Sequence, residues 1–248
     1  MRFYNDYFKH VPKDDFGWSG TWNREINKWL EYIYTIDPTF YSINKKRVLS
    51  DKQRDEFLGE AKTIYFLGKI LGLKITELEP NGNGNTKLDL AINDLQNTPW
   101  KTEVKSPSWK GQIWKNPTLS NAQKTARTSQ QKYINGEGGW FSSEEEIEYA
   151  VEDSIKNALP KFNKGESNML VIVPDMHHQI LTMLGVSEMI GGSKTIQNEL
   201  FLQDTDQLIS TVLILEPVLF SADSKITYTH KFVTITQKIG LPVIAECI

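Results

Sequence analysis

At 248 residues the chain can bury a sizeable core, as one domain with insertions or as two small ones. Hydrophobic residues at 39% and charged residues at 24% are ordinary globular usage and exclude a disordered class. A net charge of −3 excludes coating nucleic acid by bulk charge, and a single cysteine, Cys247, excludes internal disulfides. The first fifteen residues lack the apolar core of a signal peptide, and no apolar run reaches the length of a membrane span. A cytoplasmic protein with no membrane partner is therefore expected.

Up to about residue 49 the chain is rich in aromatics: Phe3, Tyr4, Tyr7, Phe8, Phe16, Trp18 and Trp22. Trp22, Ile26, Trp29, Leu30 and Ile33 recur at helical spacing, with Thr21 as N-cap and Asp37-Pro38 as the stop. This predicts a helical appendage whose aromatics are core and not a base-stacking platform. Ser50 or Asp51 then opens a second helix, with Phe57, Ala61, Ile64, Tyr65, Leu67 and Leu71 on its apolar side and Gly72 as C-cap. Glu60 falls inside that apolar sector, where a carboxylate is costly to bury without a partner. Either it sits at an edge with its head in water, or it turns toward the charged patch that follows.

Leu73 to Leu78 alternates as a short strand. The next run, NGNGNT, lacks the order of a phosphate loop and has no helix behind it, so it reads as a flexible strand connection. The stretch 86–105, TKLDLAINDLQNTPWKTEVK, contains two alternating runs, Lys87 to Asn93 and Trp100 to Lys105, joined by a polar turn, which predicts a β-hairpin. Leu88, Leu90 and Ile92 are expected on one face, with Lys87, Asp89 and Ala91 on the other; Trp100, Thr102 and Val104 oppose Lys101, Glu103 and Lys105. Pairing the polar faces brings Asp89, Glu103 and Lys105 together. Two carboxylates and an ammonium at that spacing suit a hard cation and an activated water.

From Ser106 to Asn135 there is no acidic residue. Trp109, Lys110, Trp114, Lys115, Lys124, Arg127 and Lys132 make this a basic, aromatic stretch suited to a phosphate backbone; the competing reading is a solvated insertion pinned by its tryptophans. Ser142 or Ser143 before three glutamates starts a helix running to about Phe162, and Asn168 to Val173 reads as a strand buried on both faces. Between them, Lys156 and Lys161 either reach a ligand or are ordinary surface lysines. His177 and His178, being adjacent, cannot ligate a metal from one face. Met183 to Ile190 reads as helix, and Thr211 to Phe220 and Lys231 to Ile239 as two strands around a turn at 221–224.

From Asp51 to Val173 the order is helix, three strands, helix, strand. With Glu60 in the first helix (LGEAK), Asp89 in the second strand (KLDLA) and Glu103 and Lys105 as E-x-K in the third (TEVKS), this half of the chain resembles the PD-(D/E)xK, or restriction-endonuclease-like, nuclease superfamily. Leu88 stands where the family's nominal proline precedes the aspartate. The resemblance implies an α/β fold with a mixed-sheet αβββαβ core at 50–174 carrying a basic insertion at 106–141. An N-terminal helical appendage at 1–49 and a C-terminal β-hairpin extension at 175–248 would flank it. It further implies a metal-dependent endonuclease hydrolysing phosphodiester bonds in double-stranded DNA, RNA being the other candidate. A type II restriction or other defence enzyme, working as a homodimer, fits that class. Mg2+, replaceable by Mn2+, is expected on Asp89, Glu103 and the Val104 carbonyl, with Lys105 acting on the attacking water and Glu60 holding a second metal or a water. The alternative is a catalytically inactive nucleic-acid-binding or interaction module on the same fold; no Ser-His, Cys-His or dinucleotide signature supports another enzyme class.

Overall fold

The structure, a computed structural model, describes residues 19–50, 53–107, 144–173, 202–220 and 225–242. Helix α1, Ser19–Ile36, starts two residues before the expected Thr21 cap, and its Ile26, Trp29, Leu30 and Ile33 are buried at helical spacing. It stops where the sequence indicates. Asp37 Oδ1 accepts from the Thr39 and Phe40 amides at 2.9 and 2.8 Å, so the stop is also the N-cap of α2, Pro38–Asn44, with proline at its first turn. A single 3-10 turn, Lys45–Leu49, leads to α3, Arg54–Tyr65, which begins later than Ser50 or Asp51 and continues as a π-helical turn over Phe66–Ile70. Gly72 at φ 71° closes it, the left-handed conformation that glycine adopts most readily.

The described strands form one mixed sheet in sequence order: β1 Lys74–Leu78, β2 Leu90–Asn93, β3 Pro99–Lys105, β4 Asn168–Ile172, β5 Thr211–Phe220 and β6 Lys225–Thr234. β1 to β3 are antiparallel, β3, β4 and β5 run parallel, and β6 returns antiparallel to β5. A parallel β3–β4 pair needs a crossover, and α4, Glu144–Ala158, lies within it. β4 is central and buried throughout, which is why NMLVI reads as an unbroken apolar run. The expected order from α3 to β4 is thus present in a mixed α/β fold.

Two cores sandwich the sheet. Trp29, Phe57, Leu90, Ile92, Trp100, Val171 and Leu213 belong to the cluster beneath α1 and α3; Leu88, Val151, Ile155, Leu170, Ile172 and Val212 belong to the cluster beneath α4. α1 is joined to β6 by a polar relay: Trp29 Nε1 donates to Tyr228 Oη at 2.5 Å, and Tyr228 Oη donates to Glu25 Oε1 at 2.6 Å. β6 differs from expectation, running from 225 to 234 in place of 231–239, and with β5 it continues the main sheet. Ile226, Tyr228 and Phe232 alternate onto the α1 side, so its period-2 signal begins earlier than Lys231. Among the described residues no helix is long and apolar enough to cross a membrane.

Candidate active site

The hairpin of β2 and β3 is fixed at its turn by Asp94. Its Oδ1 accepts from the Gln96 and Thr98 amides, both at 2.9 Å, and its Oδ2 from Trp100 Nε1 at 3.1 Å and the Gly240 amide at 2.9 Å. Burial works to raise the Asp94 carboxyl, but these donors outweigh it and hold it below the ordinary carboxylate value. With the turn set, Leu90 pairs with Thr102, Ala91 with Lys101 and Ile92 with Trp100. Partners across an antiparallel ladder share a face, so the register is as the sequence indicates.

One residue before Leu90 the pattern breaks. Leu88, expected beside Leu90 and Ile92, packs instead in the cluster beneath α4, while those two face α3. The physical reason lies at Asp89, where the chain bends: its amide still donates to Thr102 O at 3.1 Å, but its side chain replaces the next rung of the ladder. Asp89 Oδ2 accepts from the Val104 amide at 2.6 Å. The strands separate there, and the cavity opens in the gap.

That cavity has a volume of about 700 Å3, and Arg47, Glu60, Asp89, Glu103, Val104, Lys105 and Lys161 all line it. The four residues of the expected motif are therefore gathered at one place. Glu103, 1% exposed, is directed from β3 toward the α4 side, where Lys105 Nζ lies 2.7 Å and Lys161 Nζ 2.5 Å from its Oε1. Glu103 Oε2 is buried and, among the described residues, has no hydrogen-bond partner. Glu60 arrives from α3, whose close approach to the end of β3 is allowed by Gly59; a Cβ there would lie 2.9 Å from Ser106 Cβ. Arg47, from the 3-10 turn of the N-terminal appendage, clamps Glu60 bidentately at 2.7 and 2.8 Å. So Glu60 takes the second of the two positions expected from sequence, turned toward the charged patch of the hairpin; it is buried there and carries Arg47 as its own counter-ion.

The electrostatics follow from this crowding. Burial, reinforced by the charges of Glu60 and Glu103, pushes the Asp89 carboxyl well above its ordinary value, although the Val104 amide and Lys161 oppose the shift. Burial also raises Glu60 against the pull of Arg47, with Glu56 and Glu79 adding to the rise. Burial would lower Lys161, but the Glu103 carboxylate and the charges of Asp89 and Glu60 hold it above the ordinary lysine value, so its ammonium persists.

An oxygen-only donor set with one orphaned carboxylate oxygen and mutually repelling acids fits a hard divalent cation, which would relieve both features. Asp89 and Glu103 would hold it. Val104 lines the same gap and already spends its amide on Asp89; because Thr102 O faces β2, strand alternation puts the Val104 backbone on that side too. As they stand, no three His, Cys, Asp or Glu side chains among the described residues are grouped to hold a metal ion, in keeping with Glu60 being clamped by Arg47.

Trp109, Lys110, Trp114, Lys115, Lys124, Arg127 and Lys132 lie outside the described residues, as do His177, His178 and Cys247. The two cations that pair with the cavity's glutamates from outside the hairpin, Arg47 and Lys161, were not assigned a role by the sequence. Arg47 sits among Lys45 and Lys46 with nothing to set it apart, whereas Lys161 had a usable signal in its place just ahead of β4. Lys156, its fellow candidate, is exposed and does not line the cavity. Compared with known proteins, the chain matches no family profile, no curated protein and no solved structure.

Proposed function

We propose that the chain is a metal-dependent nuclease of the PD-(D/E)xK type, with a restriction-endonuclease-like core, that hydrolyses phosphodiester bonds in double-stranded DNA. The observation that carries this reading is the meeting of Asp89, Glu103 and Lys105 in one cavity where β2 ends beside β3, with Glu103 Oε2 buried and lacking a donor among the described residues. Asp89 and Glu103 bind Mg2+ or Mn2+, which when bound supplies Lewis-acid stabilisation of the charge that grows on the scissile phosphate. Lys105 orients the attacking water and offsets the negative charge of the pentacovalent phosphate. Glu60, held by Arg47, sets the acidic wall of the cavity. A homodimer suits the cutting of two strands by one site per chain, and a cytoplasmic restriction or other defence role suits such an enzyme.

One observation favours the second reading, an inactive binding or interaction module. Each of Glu60 and Glu103 is already matched by the protein's own cations, a network that needs no metal. Glu103→Gln and Lys105→Met separate the two readings when DNA binding and Mg2+-dependent cleavage are measured side by side. The nuclease reading expects binding to be kept while cleavage drops by roughly 100-fold or more; a wild-type protein that binds DNA and never cuts it supports the module.

A further inference from the structure

Lys161 stands apart from the hairpin lysine in how it is built into the site. Its ammonium and that of Lys105 converge on one oxygen of Glu103, while the other oxygen has no donor among the described residues. One carboxylate oxygen is thus shared by two ammoniums, so Glu103 keeps a cation when a phosphate oxygen takes one of them. The Lys161 side chain retains 30% exposure and lines the cavity.

Its backbone is fixed by the stretch that looked like a flexible connection. The Asn83 amide donates to Lys161 O at 2.8 Å, and Asn83 Nδ2 to Pro160 O at 3.4 Å. Gly82 is needed for that approach: a Cβ at this position would lie 2.6 Å from the Lys161 carbonyl oxygen and 2.7 Å from Thr86 Oγ1. Backbone oxygen cannot yield as a long side chain does. The turn NGNGNT therefore sets where Lys161 leaves the 3-10 turn, Leu159–Lys161, that follows α4.

We propose that Lys161 is a second phosphate-contacting lysine of the site, positioned by Gly82 and Asn83, and that it competes with the divalent cation for Glu103 until a phosphate oxygen takes its ammonium. The inference rests on the nuclease reading above. It assigns Lys161 a sign that a merely structural lysine lacks: removing it frees Glu103 for the cation yet takes a contact from the substrate.

The test uses the full chain with Lys161→Met, Lys161→Arg and Gly82→Ala, with thermal melting to check folding. Mn2+ affinity is titrated without nucleic acid, duplex affinity is measured in Ca2+, and single-turnover cleavage in Mg2+. Lys161→Met is expected to bind Mn2+ severalfold more tightly, to bind duplex about 3- to 10-fold more weakly, and to cleave at least tenfold more slowly. Lys161→Arg restores most of the duplex affinity, and Gly82→Ala shifts all three readouts in the direction of Lys161→Met by a smaller factor. If a folded Lys161→Met binds duplex and cleaves like wild type, or loses Mn2+ affinity, the assignment of Lys161 is overturned while the nuclease reading stands. A wild-type chain that neither binds Mn2+ nor cleaves overturns the nuclease reading itself.

Discussion

Asp89 and Asp94 are five residues apart and do opposite things with a carboxylate. Asp94 is surrounded by four N–H donors and stabilises the hairpin turn; Asp89 has, among the described residues, one amide donor and faces two other acids, an arrangement that costs stability and that the nuclease proposal assigns to metal binding. For Asp94 the sign of the pH effect follows from its lowered carboxyl. The unfolded state binds its proton first as pH falls, so the stabilisation is complete above the unfolded value of about 4 and is lost as pH drops through the lower folded value. Asp94→Ala is expected to lower unfolding free energy by about 3 kcal/mol at neutral pH. In urea titrations the gap to wild type should narrow steadily from pH 5 to pH 2; an equal gap throughout contradicts the assignment. At this scale the sequence displayed Asp89, Glu103 and Lys105 because strand alternation is a period-2 rule that residue identity alone reveals. It could not display the bend at Asp89, since a side chain standing in for a ladder rung depends on the partner strand. Arg47 was hidden for the same reason: its partner Glu60 lies on another element.

Among elements, the sheet does the positioning and the N-terminal helices finish the wall of the site. α1 and α3 cover one face, and the appendage ends in the turn that delivers Arg47 to Glu60, so residues 19–49 are part of the core and of the cavity. The pin between α1 and the edge strand β6 is Tyr228, whose hydroxyl is held protonated, chiefly by burial and by the neighbouring Glu25 charge. Tyr228→Phe leaves the Trp29 N–H and a Glu25 oxygen without this partner, and should cost about 2 kcal/mol in a denaturant titration. An unchanged midpoint would show that the relay holds nothing together. α1, α3 and β1 were legible because each carries a repeating apolar pattern, and β4 because its apolar run is near-continuous. The role of NGNGNT was not, because a glycine needed for close approach to a distant carbonyl looks the same in sequence as one in a slack loop.

For the whole molecule, a modest net charge hides an uneven distribution: acids gather at the cavity, while residues 106–135 hold none. Under the nuclease proposal the two stretches would have separate tasks, the basic one in the sequence meeting an anionic substrate and the acidic cavity holding a cation at the reacting atoms. Order of elements and motif spacing were readable from the chain because both are local in sequence. The cavity itself was not, because elements far apart in sequence, from the 3-10 turn of Arg47 to that of Lys161, build it together. The account is decided by incubating supercoiled plasmid with the wild-type chain and with Asp89→Asn, each with Mg2+ and with chelator, and following nicked and linear product. Asparagine keeps an acceptor for the Val104 amide, so the comparison isolates the charge. The account predicts Mg2+-dependent cutting by wild type that falls at least 100-fold in Asp89→Asn; plasmid left intact by wild type, or cut equally fast by Asp89→Asn, contradicts it.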